Sequence, residues 1–361
     1  MKERKRVRSS NRLPSPKKAA FIVASCFSFL LLAIALEAQE THETVDVDGV
    51  TRNFILHLPT GYSQQQRYPI MILLHAQNQD PDDMERLTHF NQLADKDAII
   101  AIYPAAAQRG EWNIGVHQEE QPVYMPRRGY GRRGGGYPGG GYPGSGRGGE
   151  NPNASRSRSE PADDVAFLNQ MLDQLELKYS IDKNRIYAAG LGDGGFMALR
   201  VGCNLADRVA GIAAVGAALP KTMICLPAHP ASAIFIDGTD DPIVPYDGGT
   251  YKPGHFHVLS AEDSARSWAK FDHCAEKPGQ AKIPPPEKGA KETKTYTYSG
   301  CQADAQVALY SVKNGGNTWP GGEQYMTEKE IGKTSNAINA NEVIWGFLST
   351  KKIVADSGSQ K

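Results

Sequence analysis

Residues 190–195 read Gly-Leu-Gly-Asp-Gly-Gly and join two segments of opposite character without a linker. Before them, Arg185–Leu191 has the short apolar make-up of a strand; after them, Gly194–Asn204 has helical spacing. Glycines at alternate positions allow a turn too sharp for residues bearing a Cβ, because glycine alone takes left-handed backbone freely. A strand, a tight turn and a helix in this order predict an α/β chain with a parallel sheet.

The rest of the chain repeats that alternation. Thr44–Val47 and Asn53–Leu58 read as two short strands around a turn at Asp48–Gly49. Ile70–Leu74 is a continuous apolar run, as in a strand buried on both faces. Asp82–Asp95 is read as one helix, followed by a strand at Ile99–Tyr103, a helix at Asp164–Tyr179 and a strand at Val209–Val215. Strands at Ala233–Asp237 and Val307–Val312 and helices at Ala261–Phe271 and Asn336–Leu348 complete the pattern. The expected architecture is α/β: a mostly parallel central sheet with helices on both faces, over residues 39–350.

The N-terminal 38 residues fall outside this pattern. Lys2–Lys18 is basic and Ala19–Leu36 is an unbroken apolar run followed by small residues, the form of an export signal. The run is also long enough to span a bilayer, so residues 19–36 read as a cleaved signal or as a retained anchor. Either way the domain is expected to be exported, periplasmic or extracellular, and to meet a membrane only through this segment. Cys26 lies in a weak match to an acylation box, since the apolar run continues well past it. The other cysteines, Cys203, Cys225, Cys274 and Cys301, form an even set, as in a disulfide-bonded exported chain. Their spacing gives no zinc or redox motif.

Tyr124–Arg158 is made mostly of Gly, Arg, Tyr, Pro and Ser, and has too little apolar content to form a core. Residues 124–158 are expected to be a disordered insertion, either a solvated spacer or a weak contact for an acidic envelope polymer; nucleic acid is not an expected partner of an exported chain. Asn153–Ser155 has the form of a glycosylation sequon. Residues 351–361 read as a flexible tail. The 40 basic and 40 acidic residues cancel, so overall charge selects no partner.

Five separated stretches carry a resemblance. They are Leu74–His75, Asp163–Leu168, Arg185–Leu191, Gly238–Tyr246 and Gly315–Gly322. Together they resemble the exported polyhydroxybutyrate-depolymerase and feruloyl-esterase family of α/β-hydrolases. That resemblance implies a serine hydrolase with its nucleophile at the turn after Leu191, an acid in the Asp241–Tyr246 stretch and a histidine just before Thr318–Trp319. Only the acid is present, as Asp241. Gly192 stands at the nucleophile position and Asn317 at the base position. Glycine has no atom to attack a carbonyl, and an amide has no basic nitrogen to shuttle a proton. The oxyanion stretch, glycine-rich in the family, reads His75-Ala76-Gln77, and Asp193 stands beside the turn where a carboxylate would repel an oxyanion. Asp237 takes the place of another family histidine.

His75, Trp112, Tyr246 and Trp319 either wall a ligand cleft or pack as core. Asp193, Asp237, Asp240 and Asp241 either cap loops or crowd into a site for a hard cation such as calcium; no metal and no cofactor are expected. His255 and His257 are the histidines best placed to stand in for the base, though neither lies in a motif. Within the resembled domain, Cys203 is expected to pair with Cys225 and Cys274 with Cys301, each pair flanking a βα segment.

Three functions compete. The first is an inactive hydrolase homologue that binds a polyester or polysaccharide-linked ligand, or an envelope partner. The second is an ester hydrolase using non-standard residues, and the third is an interaction protein acting through residues 124–158.

Overall fold

The structure, a computed structural model, describes residues 38–107, 110–116, 163–286 and 291–353. Residues 1–37 of the expected export segment, the 124–158 insertion and residues 354–361 of the tail lie outside the described residues. From Ala38 onward the described residues form one unit.

A ten-stranded sheet organises it. The strands are β1 (Gln39–Val47), β2 (Val50–Leu58), β3 (Tyr68–Leu74), β4 (Ile100–Pro104), β5 (Ile181–Leu191), β6 (Gly211–Val215) and β7 (Ser232–Gly238), followed by a two-stranded hairpin, β8 (Gly249–Tyr251) and β9 (Phe256–Val258). β10 (Gly279–Ile283), β11 (Thr293–Tyr298) and β12 (Val307–Val312) come last in the chain. The order across the large sheet is β1-β2-β4-β3-β5-β6-β7-β12-β11-β10. β4, β3, β5, β6, β7 and β12 run parallel, and the two strands at each margin are antiparallel.

Seven helices accompany it among the described residues: α1 (Pro81–Thr88), α2 (Phe90–Asp97), α3 (Asp164–Lys178), α4 (Asp193–Asn204), α5 (Ala261–Phe271), α6 (Glu328–Ile331) and α7 (Ala340–Leu348). The alternation of side chains along β3 separates two cores. Ile70, Ile72 and Leu74 join Phe167 of α3, Phe196 of α4 and Trp268 of α5, whereas Met71 and Leu73 join Leu87 of α1, Phe90 of α2 and Ile344 of α7. The expected α/β-hydrolase architecture, with helices on both faces, is the one observed.

Helix starts follow local chemistry. Asp163 accepts from the N–H groups of Val165 and Ala166 at the head of α3, and Ser260 accepts from Asp263 at the head of α5. One expected helix is two. His89 sits in left-handed backbone (φ 51°), so the 82–95 segment breaks into α1 and α2 there. Residues 336–339 precede α7, whose start is set by the Asn339 side chain accepting from Glu342 N–H. β10 and β11 were not expected. Both disulfides pair as expected, Cys203 with Cys225 and Cys274 with Cys301.

Candidate active-site remnant

Leu191 ends β5 and Asp193 begins α4, so Gly192 alone makes the turn between them, at φ 54° and ψ −114°. The turn presses against β3. A Cβ on Gly194 would lie 2.1 Å from the Leu74 carbonyl oxygen, which forbids any side chain there. The glycines of the motif are therefore demanded by the elbow's shape, whatever residue occupies its apex.

The loops after β7 and β12 bring the other two positions to this apex. Asn317 is buried, and its amide Nδ2 donates to Asp241 Oδ2 at 2.8 Å and to the Gly216 carbonyl at 2.9 Å. Its Oδ1 lies 3.1 Å from the point where a Cβ on residue 192 would stand. Asp241 Oδ1 accepts from the N–H groups of Ile243 and Val244 at 2.7 and 2.8 Å. Both Asp241 oxygens are thus engaged. Burial pushes its carboxyl up to about 6, against the Val244 N–H, the Asn317 amide and the Ile243 N–H, which pull it down. Gly192, Asn317 and Asp241 thus lie in a row at the carboxyl edge of the sheet, with no nucleophilic or basic side chain among the three.

Behind Asp241 lies a second buried acid. Asp237 Oδ1 accepts from Ala217 N–H at 3.2 Å, and Oδ2 has no partner. Burial and the neighbouring Asp241 charge push its carboxyl well above the usual carboxylate range.

The oxyanion side is closed from within the loop. Ala76, whose Cβ lies 3.7 Å from the imagined Cβ of residue 192, has its N–H bound to the Gln79 side-chain oxygen at 3.1 Å. Gln77 turns away to Glu111, at 3.0 Å. Asp193 does not face the apex either. Its carboxylate accepts from Trp112 N–H at 2.8 Å, and burial pushes it up to about 7.

The four aromatic candidates pack against their neighbours. The Trp112 indole N–H donates to the His75 carbonyl, and its ring lies 5.0 Å from the His75 ring. His75 Nδ1–H donates to the Ala76 carbonyl and Nε2 accepts from Ala106 N–H, so its basic lone pair is used; burial holds its pKa down. Trp319 is 1% exposed, with its indole N–H on Asn341 Oδ1. Tyr246 is half-buried, and burial raises its hydroxyl to about 12. Trp319 lies in the core below the loops, while His75 and Trp112 form a wedge between β3 and α4.

Asp240 accepts from Thr239 Oγ1, apart from the directions taken by Asp193 and Asp237. Among the described residues, no group of three or more His, Cys, Asp or Glu side chains is arranged to hold a metal ion. His255 and His257 lie on the exposed β8–β9 hairpin, with His257 Nδ1 3.2 Å from Thr250 Oγ1. Sequence reasoning missed Gln79, whose role depends on a side chain folding back within an irregular loop. It also missed Tyr325, whose hydroxyl donates to the Asn317 carbonyl at 3.0 Å.

A family model described as phospholipase/carboxylesterase matches residues 150–273. A protein named as an esterase, NocK, from Nocardia uniformis subsp. tsuyamanensis is 23% identical over 346 residues, covering 93% of this chain and 90% of that one. Feruloyl esterase B of Piromyces equi is 32% identical over 165 residues, covering 43% of this chain; the match spans only 29% of that longer protein. A solved acetyl xylan esterase from Aspergillus awamori superposes with a TM-score of 0.49 at 9% identity, over 77% of this chain and 94% of that one. The elbow and strand order are those of the α/β-hydrolase fold, and the relatives by sequence include proteins named as esterases.

Proposed function

We propose that this protein is an exported binding protein built on an esterase frame that no longer forms an acyl-enzyme. The reading rests on one observation: a neutral amide, Asn317, fills the space between the retained acid Asp241 and the side-chain-free apex Gly192. Among the described residues, none of the hydrogen bonds to the Asn317 or Asp241 side chains comes from a serine, cysteine or histidine. The loop also satisfies its own Ala76 N–H through Gln79, so a substrate carbonyl would have to displace an existing hydrogen bond. Removing a triad costs on the order of a million-fold in turnover. The two disulfides suit an oxidising compartment. The names of the relatives, feruloyl esterase and acetylxylan esterase, point to an acylated plant polysaccharide as the ligand class.

The test combines reactivity and binding on the full chain. A serine-directed fluorophosphonate should leave no adduct at the elbow, and hydrolysis of short acyl esters should stay at the buffer rate. Affinity electrophoresis in feruloylated or acetylated xylan should retard the protein. Turnover well above background that Asp241→Asn abolishes would overturn the reading in favour of a hydrolase with non-standard residues. Unretarded migration in both xylans would reject the ligand class.

A further inference from the structure

Among the described residues, Ile224 and Leu226 are large apolar side chains left 84% and 85% exposed. Single exposed aliphatic residues are ordinary. These two flank Cys225, which is itself buried and tied to Cys203 at the end of α4. The bond draws the middle residue inward and presents its two neighbours together at a tethered loop.

Basic side chains lie beside this knuckle. The loop is joined to the β8–β9 hairpin by a bridge between Pro220 and Val258 and by Lys221 N–H donating to the His257 carbonyl. Lys221, Lys252, His255 and His257 are all exposed there. The sequence has no Asp or Glu from Arg208 to Ile236, nor from Gly248 to Ala261. The bridge between these two carboxylate-free stretches brings Lys221 and Lys252 to one surface.

We propose that this knuckle docks the domain on an anionic phospholipid surface, with Ile224 and Leu226 entering the interface and Lys221 and Lys252 facing the headgroups. The aliphatic tips favour lipid over a sugar polymer, because sugar recognition rests on aromatic platforms and this loop exposes none. Acidic headgroups complement the charge of the exposed Lys221 and Lys252. This inference extends membrane contact beyond the N-terminal apolar segment and does not depend on the ligand assigned to the old active site.

The experiment reads lipid contact at the knuckle itself. Ile224→Trp and Leu226→Trp each place an indole at the tip, while Trp112, Trp268 and Trp319 are buried and the half-buried Trp345 is a background common to reporters and control. Leu177→Trp, at a position 90% exposed on α3, is the control. With vesicles of phosphatidylglycerol and brominated phosphatidylcholine, the tip reporters should be quenched and blue-shifted and the control should not. Lipid contact through any other part of the chain would not single out the tip. Lys221→Glu with Lys252→Glu should weaken partitioning at low salt by at least about thirtyfold, with the melting temperature unchanged. Equal quenching at the tip and at Leu177→Trp, or none, would overturn the proposal. So would indifference to the charge reversal, or binding to an acidic polysaccharide such as polygalacturonate in place of the vesicles.

Discussion

Asn317 Nδ2 donates to Asp241 Oδ2 at 2.8 Å, joining the loop after β12 to the loop after β7. The contact is a fixed link, because a neutral amide does not trade its proton with the carboxylate. The same amide nitrogen also holds the Gly216 carbonyl after β6, so one side chain ties together three loops at the carboxyl edge of the sheet. Such a residue should be needed for stability, independent of any ligand.

Asn317→Ala should therefore destabilise the fold by about 1–3 kcal/mol, because it leaves a buried carboxylate oxygen and a buried carbonyl without donors. Urea denaturation at neutral pH measures this directly. A loss below about 0.5 kcal/mol would mean that water takes over both bonds without penalty.

The frame was legible in the sequence because its strands are apolar runs and its glycines stand where backbone packs on backbone. Ile70–Leu74 and Gly190–Gly195 could hardly be read otherwise. β10 and β11 escaped because they lie at the sheet margin: β10 is almost wholly exposed, so no buried face marks it. The break at His89 escaped because it uses no Gly or Pro. That Gly192, Asp241 and Asn317 meet at one edge of the sheet was readable from motifs. The Gln79 bond and the inward turn of Asp193 toward Trp112 were not, since both depend on side-chain directions in loops that carry no periodicity.

The disulfides give a second prediction. Their sequence separations are 22 and 27 residues, so each removes a substantial loop entropy from the unfolded chain. Replacing Cys274 and Cys301 together by Ser should lower stability by about 3 kcal/mol. Peptide mapping without reduction should recover the 203–225 and 274–301 links and no others. A Cys203–Cys301 link would contradict the structure.

Buried acids make a third prediction, with a definite sign. Asp272 is fully buried, accepts from Ala231 N–H through Oδ1, and leaves Oδ2 unpaired. Burial pushes its carboxyl from 3.8 up to about 7. Its folded state thus holds a proton that the unfolded chain gives up, and its contribution to stability falls as pH rises from about 4 toward 7. Asp272→Asn keeps the acceptor and removes the titration. The variant should gain on the parent protein by up to about 1.4 kcal/mol for each pH unit across that window. Denaturation of both proteins at pH 4.5 and pH 7.5 tests it: an advantage that shrinks at the higher pH would refute the assignment.

The last prediction asks whether the lost chemistry can be rebuilt on the retained frame. Gly192→Ser alone should give no hydrolysis above background, because the new side chain meets the Asn317 amide oxygen and finds no base. Asn317→His alone provides a base beside Asp241 with nothing to activate. Together they should give slow but measurable turnover of short acyl esters and labelling by a fluorophosphonate at residue 192, since nucleophile and base act as one unit. The double variant should remain poor because Gln79 still occupies the Ala76 N–H. Adding Gln79→Ala frees that donor toward the apex, and one oxyanion donor is worth about 10²–10³ in kcat. The triple variant should therefore exceed the double in kcat by at least about tenfold with little change in KM. Equal rates in the double and triple variants would place the oxyanion defect elsewhere in the loop. Labelling without turnover would locate it after acylation, in the step that needs water to reach the ester.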